Sequence, residues 1–571
     1  MSRERSLAIA VAVAWAVGCG GKSGNVVVVT VTADPPGIAD IAQLFVSASD
    51  GEQRAEATVD GLKMLTIPPA KTFGLTVPAG SKTVVIQVEA VNAMGQSIAF
   101  GETTVAMASD GATAQVKLQP GVPPPRFSAA ADVAAATGGT RLKPIGWAPA
   151  VDSDGPAIDV GLTDPTLSFD CLWQVATDGK IRCLPDAYQG AIAYADSQCS
   201  KTVLVTTASR CNPAADAAAH GTLFNFNTCP ASRSVWRRGE AVTGSLYLRD
   251  TSNACVVAAP PRADQKAWAI DPVDVASLVA ATPTPLGSGA IVPVMLEAED
   301  GARQFFGWRS ASANADCNVG IAADGKPHCL PIPIAVVGSY WTDAACTQPA
   351  ARTQKSTCTG EGQYVANAAN GVCPAATSIF RAGAKQQNAY QRDAANICSA
   401  APLSTSDIYP LGAELPPAMM DAASIGMLPG SRRLRPLTHS TGAHTVVRAQ
   451  FWDAKMRTVC SPTPGTNGRI YCLPKVTEPA RGFLEQTCSG TAVFLKRAED
   501  CDVSYGAVEN TVCPVGKRIF ALGSQPLTSA FYTTETGACD AVMPRGGFQA
   551  LAAGLEIPPE EWVELKRVVA P

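Results

Sequence analysis

The chain has 571 residues, a net charge of −4, and only 16% Asp, Glu, Lys and Arg. That balance excludes a nucleic-acid binder, because neutralising a phosphate backbone needs a strongly basic surface. The length suits several domains, and 49 glycines with 43 prolines favour short strands joined by turns over long helices.

At the N-terminus, Arg3 and Arg5 precede an apolar run from Leu7 to Val17 that is too short to span a bilayer. It ends Ala16-Val17-Gly18-Cys19, followed by the tether-like Gly20-Gly21-Lys22-Ser23-Gly24. Residues 1–19 resemble a bacterial lipoprotein signal and lipobox, although Ala16 stands where Leu is usual. The resemblance implies lipidation at Cys19 and the membrane as a partner through that anchor. Gly20, in place of the Asp of inner-membrane lipoproteins, implies the outer membrane, facing periplasm or cell exterior. The plainer alternative is a signal peptide cleaved near Gly18.

Residues 25–119 lack cysteine and read as strands. Val26 to Thr32 is a β-branched run. Val84, Ile86, Val88 and Ala90 alternate with Thr83, Val85, Gln87 and Glu89, so the first set is expected to face a core and the second mostly water. About seven short strands fit a β-sandwich, similar in pattern to the immunoglobulin-like or transthyretin-like modules of bacterial surface proteins. Residues 120–140, with Pro123-Pro124-Pro125 and an Ala-rich stretch, read as an extended linker.

The remaining 18 cysteines fall into three sets of six. They are Cys171, Cys183, Cys199, Cys211, Cys229, Cys255; Cys317, Cys329, Cys346, Cys358, Cys373, Cys398; and Cys460, Cys472, Cys488, Cys501, Cys513, Cys539. The gaps run 12, 16, 12, 18, 26, then 12, 17, 12, 15, 25, then 12, 16, 13, 12, 26. This defines three Cys-rich β repeats, 141–283, 284–428 and 429–571. No Cys-x-x-Cys occurs, which disfavours zinc, and an even number per repeat points to disulfides and an oxidising compartment. The first two cysteines of each set flank a turn, Asp178-Gly179, Asp324-Gly325 or Asn467-Gly468, and are expected to bond to each other. The other pairings stay open.

More recurs than cysteine. Cys-Leu-Pro follows each turn, at Cys183, Cys329 and Cys472. Tyr194, Trp341 and Phe483 precede the third cysteine, with Asp196, Asp343 and Glu485 between. The fifth cysteine is always followed by Pro, and then by Trp236, Phe380 or Phe520 and by Gly239, Gly383 or Gly523. Tyr247, Tyr390 and Phe531 precede the sixth. These signatures describe stapled β-hairpins in an all-β chain, either closed as a β-propeller-like ring or strung as separate beads. The Asp-Gly-x-x-x-Cys-Leu-Pro and aromatic-x-Asp-x-x-Cys signatures resemble a group of Cys-rich repeat lipoproteins of predatory and gliding myxobacteria. That resemblance implies location and architecture and supplies no mechanism.

No nucleophile elbow, phosphate loop or HExxH zinc motif is present, so no catalytic residue, metal or cofactor is expected. Four groups carry polar side chains of possible chemical use. Asp152, Asp154 and Asp159 have the carboxylate density of a calcium loop, but the matching turns are Ala298-Glu299-Asp300-Gly301 and Thr441-Gly442-Ala443-His444, which favours a plain turn. His439 and His444 have no sequence-local carboxylate and read as solvated loop histidines. Trp236-Arg237-Arg238 suits an anionic sugar, although the matched aromatics argue for packing. Asp196, Asp343 and Glu485 recur as turn caps do. The expected function is a non-enzymatic binding or adhesion protein for a polysaccharide or protein ligand, with an envelope spacer or an exported hydrolase as alternatives.

Overall fold

The computed structural model describes residues 25–570 apart from short interruptions, of which 121–124, 152–153, 186–190, 208–219, 226–230, 355–363, 369–375, 501–502 and 510–515 bear on the argument. Cys19, Cys211, Cys229, Cys358, Cys373, Cys501, Cys513 and Asp152 therefore lie outside the described residues.

The chain is all-β. Its N-terminal part is a sandwich. Asn25–Ala33 is the centre of a three-stranded sheet, antiparallel to Lys71–Val77 and parallel to Ala112–Leu118. Opposite lies a four-stranded sheet ordered Arg54–Val59, Gln43–Ser49, Thr83–Val91, Ser97–Ala106. Alternating Val27, Val29 and Val31 meet Leu44, Val46, Val84, Ile86, Val88 and Ala90 in the core between them. The second set on Thr83–Val91 departs from expectation. Val85 and Gln87 are buried, because that face of the sheet docks on the third repeat.

The three repeats close into one ring. Each contributes a run of antiparallel strands to a seventeen-stranded sheet, two members of which are short linker strands. Repeat one supplies Lys143–Pro149, Ile158–Asp164, Phe169–Val175 and Ile181–Pro185. Its hairpin hands over to Ala280–Pro285, which straddles the expected 283/284 boundary and opens the strand set of repeat two. The last strand, Glu564–Val569, pairs on one side with Ile470–Pro474 and on the other with Lys143–Pro149, with Ile145 opposite Val569. The closure is continuous hydrogen bonding from repeat to repeat, and Glu564–Val569, within the bounds of repeat three, completes the strand set of repeat one. Three separate cores sit around the ring, each built on its own first disulfide. Cys171 and Cys183 pack with Leu142 and Leu162, Cys317 and Cys329 with Trp308 and Ile291, and Cys460 and Cys472 with Phe451 and Leu434.

After the ring hairpin of each repeat, and before the ring strand that follows it, the chain leaves to build a satellite sheet of seven strands. In repeat two this sheet rolls into a small barrel, because Ala335–Trp341 pairs antiparallel with Pro349–Gln354 and parallel with Tyr364–Ala368. In repeat three the matching parallel contact is Thr477 to Gly506. Each satellite is tied to its ring hairpin by an equivalent parallel bridge, Ala176 to Arg233, Ala322 to Thr377 and Gly465 to Lys517.

The linker is not a free spacer between separate bodies. Arg126–Phe127 adds in parallel to Ser424–Met427, and Ala136–Thr137 adds to Arg303–Ser310. Phe127 packs with Val85, Met427, Leu437 and Trp452, and Val133 enters the core of repeat two beside Trp308 and Val446. Apolar residues in the Ala-rich stretch thus gain more from lacing the ring than from an extended, solvated path.

Candidate functional site

The recurring residues resolve into scaffold. In each ring hairpin the chain reverses through a three-residue loop closed by a left-handed glycine, with φ of 80° at Gly179, 74° at Gly325 and 79° at Gly468. This reversal brings the first two cysteines together diagonally across antiparallel strands, and Cys171–Cys183, Cys317–Cys329 and Cys460–Cys472 are disulfides as expected. The turn residue then bonds the residue before the second cysteine. Arg182 Nε donates to Asp178 Oδ2 (2.9 Å), His328 Nε2 meets Asp324 Oδ2 (3.0 Å), and Asn467 Nδ2 donates to the Tyr471 hydroxyl (2.8 Å). Three chemistries fill one geometric role.

In the satellites the third cysteine pairs with the sixth, as Cys199–Cys255, Cys346–Cys398 and Cys488–Cys539. The third cysteine has a left-handed backbone in every copy, with φ of 52°, 51° and 51°. Its preceding acid explains that strain. Asp196 accepts the N–H groups of Gln198 (3.0 Å), Ser200 (3.0 Å) and Lys201 (2.6 Å), Asp343 accepts those of Thr347 (2.9 Å) and Gln348 (2.8 Å), and Glu485 accepts that of Thr491 (3.0 Å). The Ser200 N–H beside Asp196 and the Thr347 hydroxyl beside Asp343 hold both carboxyls below the usual carboxylate range. The two recurring aromatics are direct cross-strand partners, Tyr194 with Tyr247, Trp341 with Tyr390 and Phe483 with Phe531. Arg249 and Arg392 stack on the Tyr194 and Trp341 rings at 5.5 Å and 5.5 Å. Gly239 and Gly523 lie where the pairing register breaks, and Gly383 follows such a break just after Ala382.

Trp236-Arg237-Arg238 does not form one gripping face. Trp236 is half-buried with its Nε1 on Ser234 (2.9 Å), Arg237 projects outward toward Asp271, and Arg238 stacks on Trp268 at 4.3 Å. Of the calcium-loop residues, Asp154 sits in a turn whose backbone bonds Val151, and Asp159 follows in a strand. The matching Asp300 accepts the N–H groups of Arg141 (3.0 Å) and Leu142 (2.6 Å), tying repeat two to repeat one. Among the described residues no three His, Cys, Asp or Glu side chains gather as a metal site.

The histidine pair departs most from expectation. His444 Nδ1 lies 2.9 Å from Asp132 Oδ2, a linker carboxylate that also accepts the Thr445 N–H (2.6 Å). The missing partner was distant in sequence, not absent. His439 is not a solvated loop residue either. It lies in strand Leu434–Ser440, opposite Val446, with a buried Nε2 that meets no partner. Burial, with the Arg448 charge second, pushes its pKa down to about 3, so the ring is neutral near pH 7.

A groove opens where the sandwich meets the linker. It encloses about 130 Å³ between Phe45, Glu56, Thr58, Glu89, Phe100 and Arg126. Arg126 stacks on Phe45 at 4.1 Å and bonds Glu89 at 2.8 Å, while Arg457 from repeat three stacks on Phe100 at 4.2 Å. Below it a polar ladder crosses the interface. Ser47 Oγ donates to Gln87 Oε1 (3.2 Å), Gln87 Nε2 to Glu102 Oε2 (2.9 Å), and Arg435 grips Glu102 through Nη1 (2.9 Å) and Nη2 (2.8 Å).

No curated protein and no solved structure matches the chain. A family model described as a family of unknown function, DUF7481, matches twice, over residues 136–369 and 279–562. The two matches begin about one repeat apart and together run from 136 to 562, which takes in the three satellites and the ring up to its closing strand. The chain belongs to this family, DUF7481.

Proposed function

We propose that the protein is an exported, lipid-anchored component of the cell surface that binds an envelope or extracellular ligand without catalysing a reaction. The observation that carries this reading is the closed ring holding three satellites, each stapled to a hairpin of equivalent geometry. Such a body presents several similar surfaces in fixed relative positions, which favours multivalent capture of a repetitive polymer or a protein array. The disulfides favour an oxidising compartment, and the Cys19 signature supports an anchor there.

A retention assay tests it. The oxidised full chain is incubated with insoluble envelope polysaccharides and with solubilised envelope proteins on beads, beside a reduced and alkylated control. Retention that disappears on reduction is expected. Absence of retention from both sources sinks the binding reading in favour of a spacer, and shortened polymer in the supernatant replaces it with a hydrolase.

A further inference from the structure

The outer face of the sandwich's four-stranded sheet carries two neighbouring rows of side chains. One row crosses the strands as Thr58, Phe45, Glu89 and Phe100, and the next as Glu56, Ser47, Gln87 and Glu102. Repeat three covers one end of both rows, where Arg457 stacks on Phe100 and Arg435 holds Glu102. The groove of about 130 Å³ lies toward the other end. Glu56 and Thr58 are exposed there and Phe45 is half-buried, so a ligand can enter from solvent.

Docking on the ring accounts for Phe100, Gln87 and Glu102 but not for the open end. The sandwich core does not account for it either, since Leu44 and Val46 on either side of Phe45 fill that core from the opposite face. The rim is nonetheless fixed in place. Phe127, 1% exposed, packs beside Val85 and Met427 and so holds its neighbour Arg126 over Phe45.

The polar groups around the Phe45 ring are only partly used. Arg126 Nε and Nη2 both donate to one oxygen, Glu89 Oε2, at 3.1 and 2.8 Å. Among the described residues, Glu89 Oε1, Arg126 Nη1 and the Thr58 hydroxyl have no partner. Neither side of the ion pair is shut away, with 19% of the Glu89 side chain and 49% of that of Arg126 exposed. An acceptor, a donor and a hydroxyl that is both thus surround one aromatic ring.

Size and charge narrow the ligand. A cavity of about 150 Å³ admits benzene, so this groove has room for about one six-membered ring. Three carboxylates on the two rows, Glu56, Glu89 and Glu102, are matched by three guanidiniums, Arg126, Arg435 and Arg457. A charged ligand therefore gains no net attraction there. An uncharged ring that carries several hydroxyls and an apolar C–H face meets every requirement.

We propose that this groove binds a neutral sugar residue. Its C–H face rests on the part of Phe45 that Arg126 leaves open, one hydroxyl donates to Glu89 Oε1, and others meet Arg126 Nη1 and Thr58. The inference deepens the binding reading above, on which it rests, by naming a ligand class and a place for it.

The test is ligand-observed saturation-transfer NMR on the oxidised full chain at pH 7. The probes are the methyl glycosides of glucose, galactose, mannose and N-acetylglucosamine. Galacturonate and glucosamine serve as charged counterparts, and N-acetylalanine methylamide as a neutral peptide. Saturable binding of at least one methyl glycoside is expected, tighter than that of either charged sugar or of the peptide. Phe45→Ala should weaken it at least tenfold. Thr58→Val keeps a β-branched residue at an exposed strand position, so it should melt with the parent yet bind several-fold more weakly. Binding of no methyl glycoside, preference for a charged sugar or the peptide, or equal binding by the parent and both variants overturns the proposal. Retention of the parent on envelope material with no glycoside bound would sink this site and leave the broader reading standing, whereas glycoside binding without such retention would do the reverse.

Discussion

Arg435, 3% exposed on the ring, closes a two-pronged ion pair on Glu102 of the sandwich, and that contact makes one body of two domains. Burial works against the Glu102 charge, but the Arg435 bond and charge outweigh it and lower the carboxyl's pKa. Cutting one partner leaves the other charge buried and alone, which typically costs about 3–5 kcal/mol. Glu102→Ala should therefore loosen docking, seen as faster hydrogen exchange at Thr83–Val91 and cleavage in the linker. The double variant Glu102→Met with Arg435→Met should recover most of the loss. Unchanged exchange in the single variant would show that Val85 and Phe127 hold the interface by packing alone.

The pairing of the disulfides is open to peptide mapping without reduction. Cys171–Cys183 and Cys199–Cys255 should appear as linked peptides, with their counterparts in the other repeats. Replacing Cys460 and Cys472 together by Ala should cost about 3 kcal/mol in the chain-entropy model, and replacing Cys488 and Cys539 about 4 kcal/mol, because the second loop is longer. Calorimetry that ranks the two in the opposite order would indicate that native packing, as in the Phe451 core, outweighs loop closure.

Ring closure depends on Glu564–Val569. Removing the residues after Val563 exposes the long edge of Lys143–Pro149, whose Ile145 and Trp147 then lack their partners. The shortened chain should associate, because an unpaired edge templates further pairing. Size-exclusion chromatography should show dimers or larger species where the parent is a single peak. A monodisperse, equally stable truncation would mean that closure adds nothing.

The turn acids set an acid limit. The folded pKa values of Asp196 and Asp343 lie below their ordinary value of 3.8, so their contribution is present above about pH 4 and is lost as pH falls through the lower folded values. Asp196→Asn should melt below the parent at pH 7, and the difference should shrink toward pH 3. A difference that persists at pH 3 would assign Asp196 a role other than accepting the turn N–H groups.

Much of the scaffold was legible because periodicity and cysteine spacing are local. The Asp178-Gly179 turn and the twelve-residue gap define a hairpin and its staple without reference to anything distant. Asp196 was readable as a cap for the same reason. What escaped was long-range. Val85 and Gln87 look like a solvent-facing set until Leu437 and Arg435 arrive against them. Asp132 gives no hint in its own segment that it will hold His444. The burial of His439 follows from a register break two strands wide, which no single strand reveals. Cross-repeat comparison held one usable signal, since Leu296 and Trp147 stand where His439 does.

Pairing Ile145 with Val569 also imposes an order of events. The strand that completes the first repeat is made after all three satellites, so Lys143–Pro149 must wait, edge bare, until Glu564–Val569 has emerged. Satellites can fold as they appear, being built from contacts within one repeat, whereas the ring cannot close early. Contacts between distant parts of a chain form slowly, and a bare edge is a hazard while it lasts. The gap between synthesis of the first repeat and arrival of Glu564–Val569 is therefore the interval in which this protein most needs a folding helper.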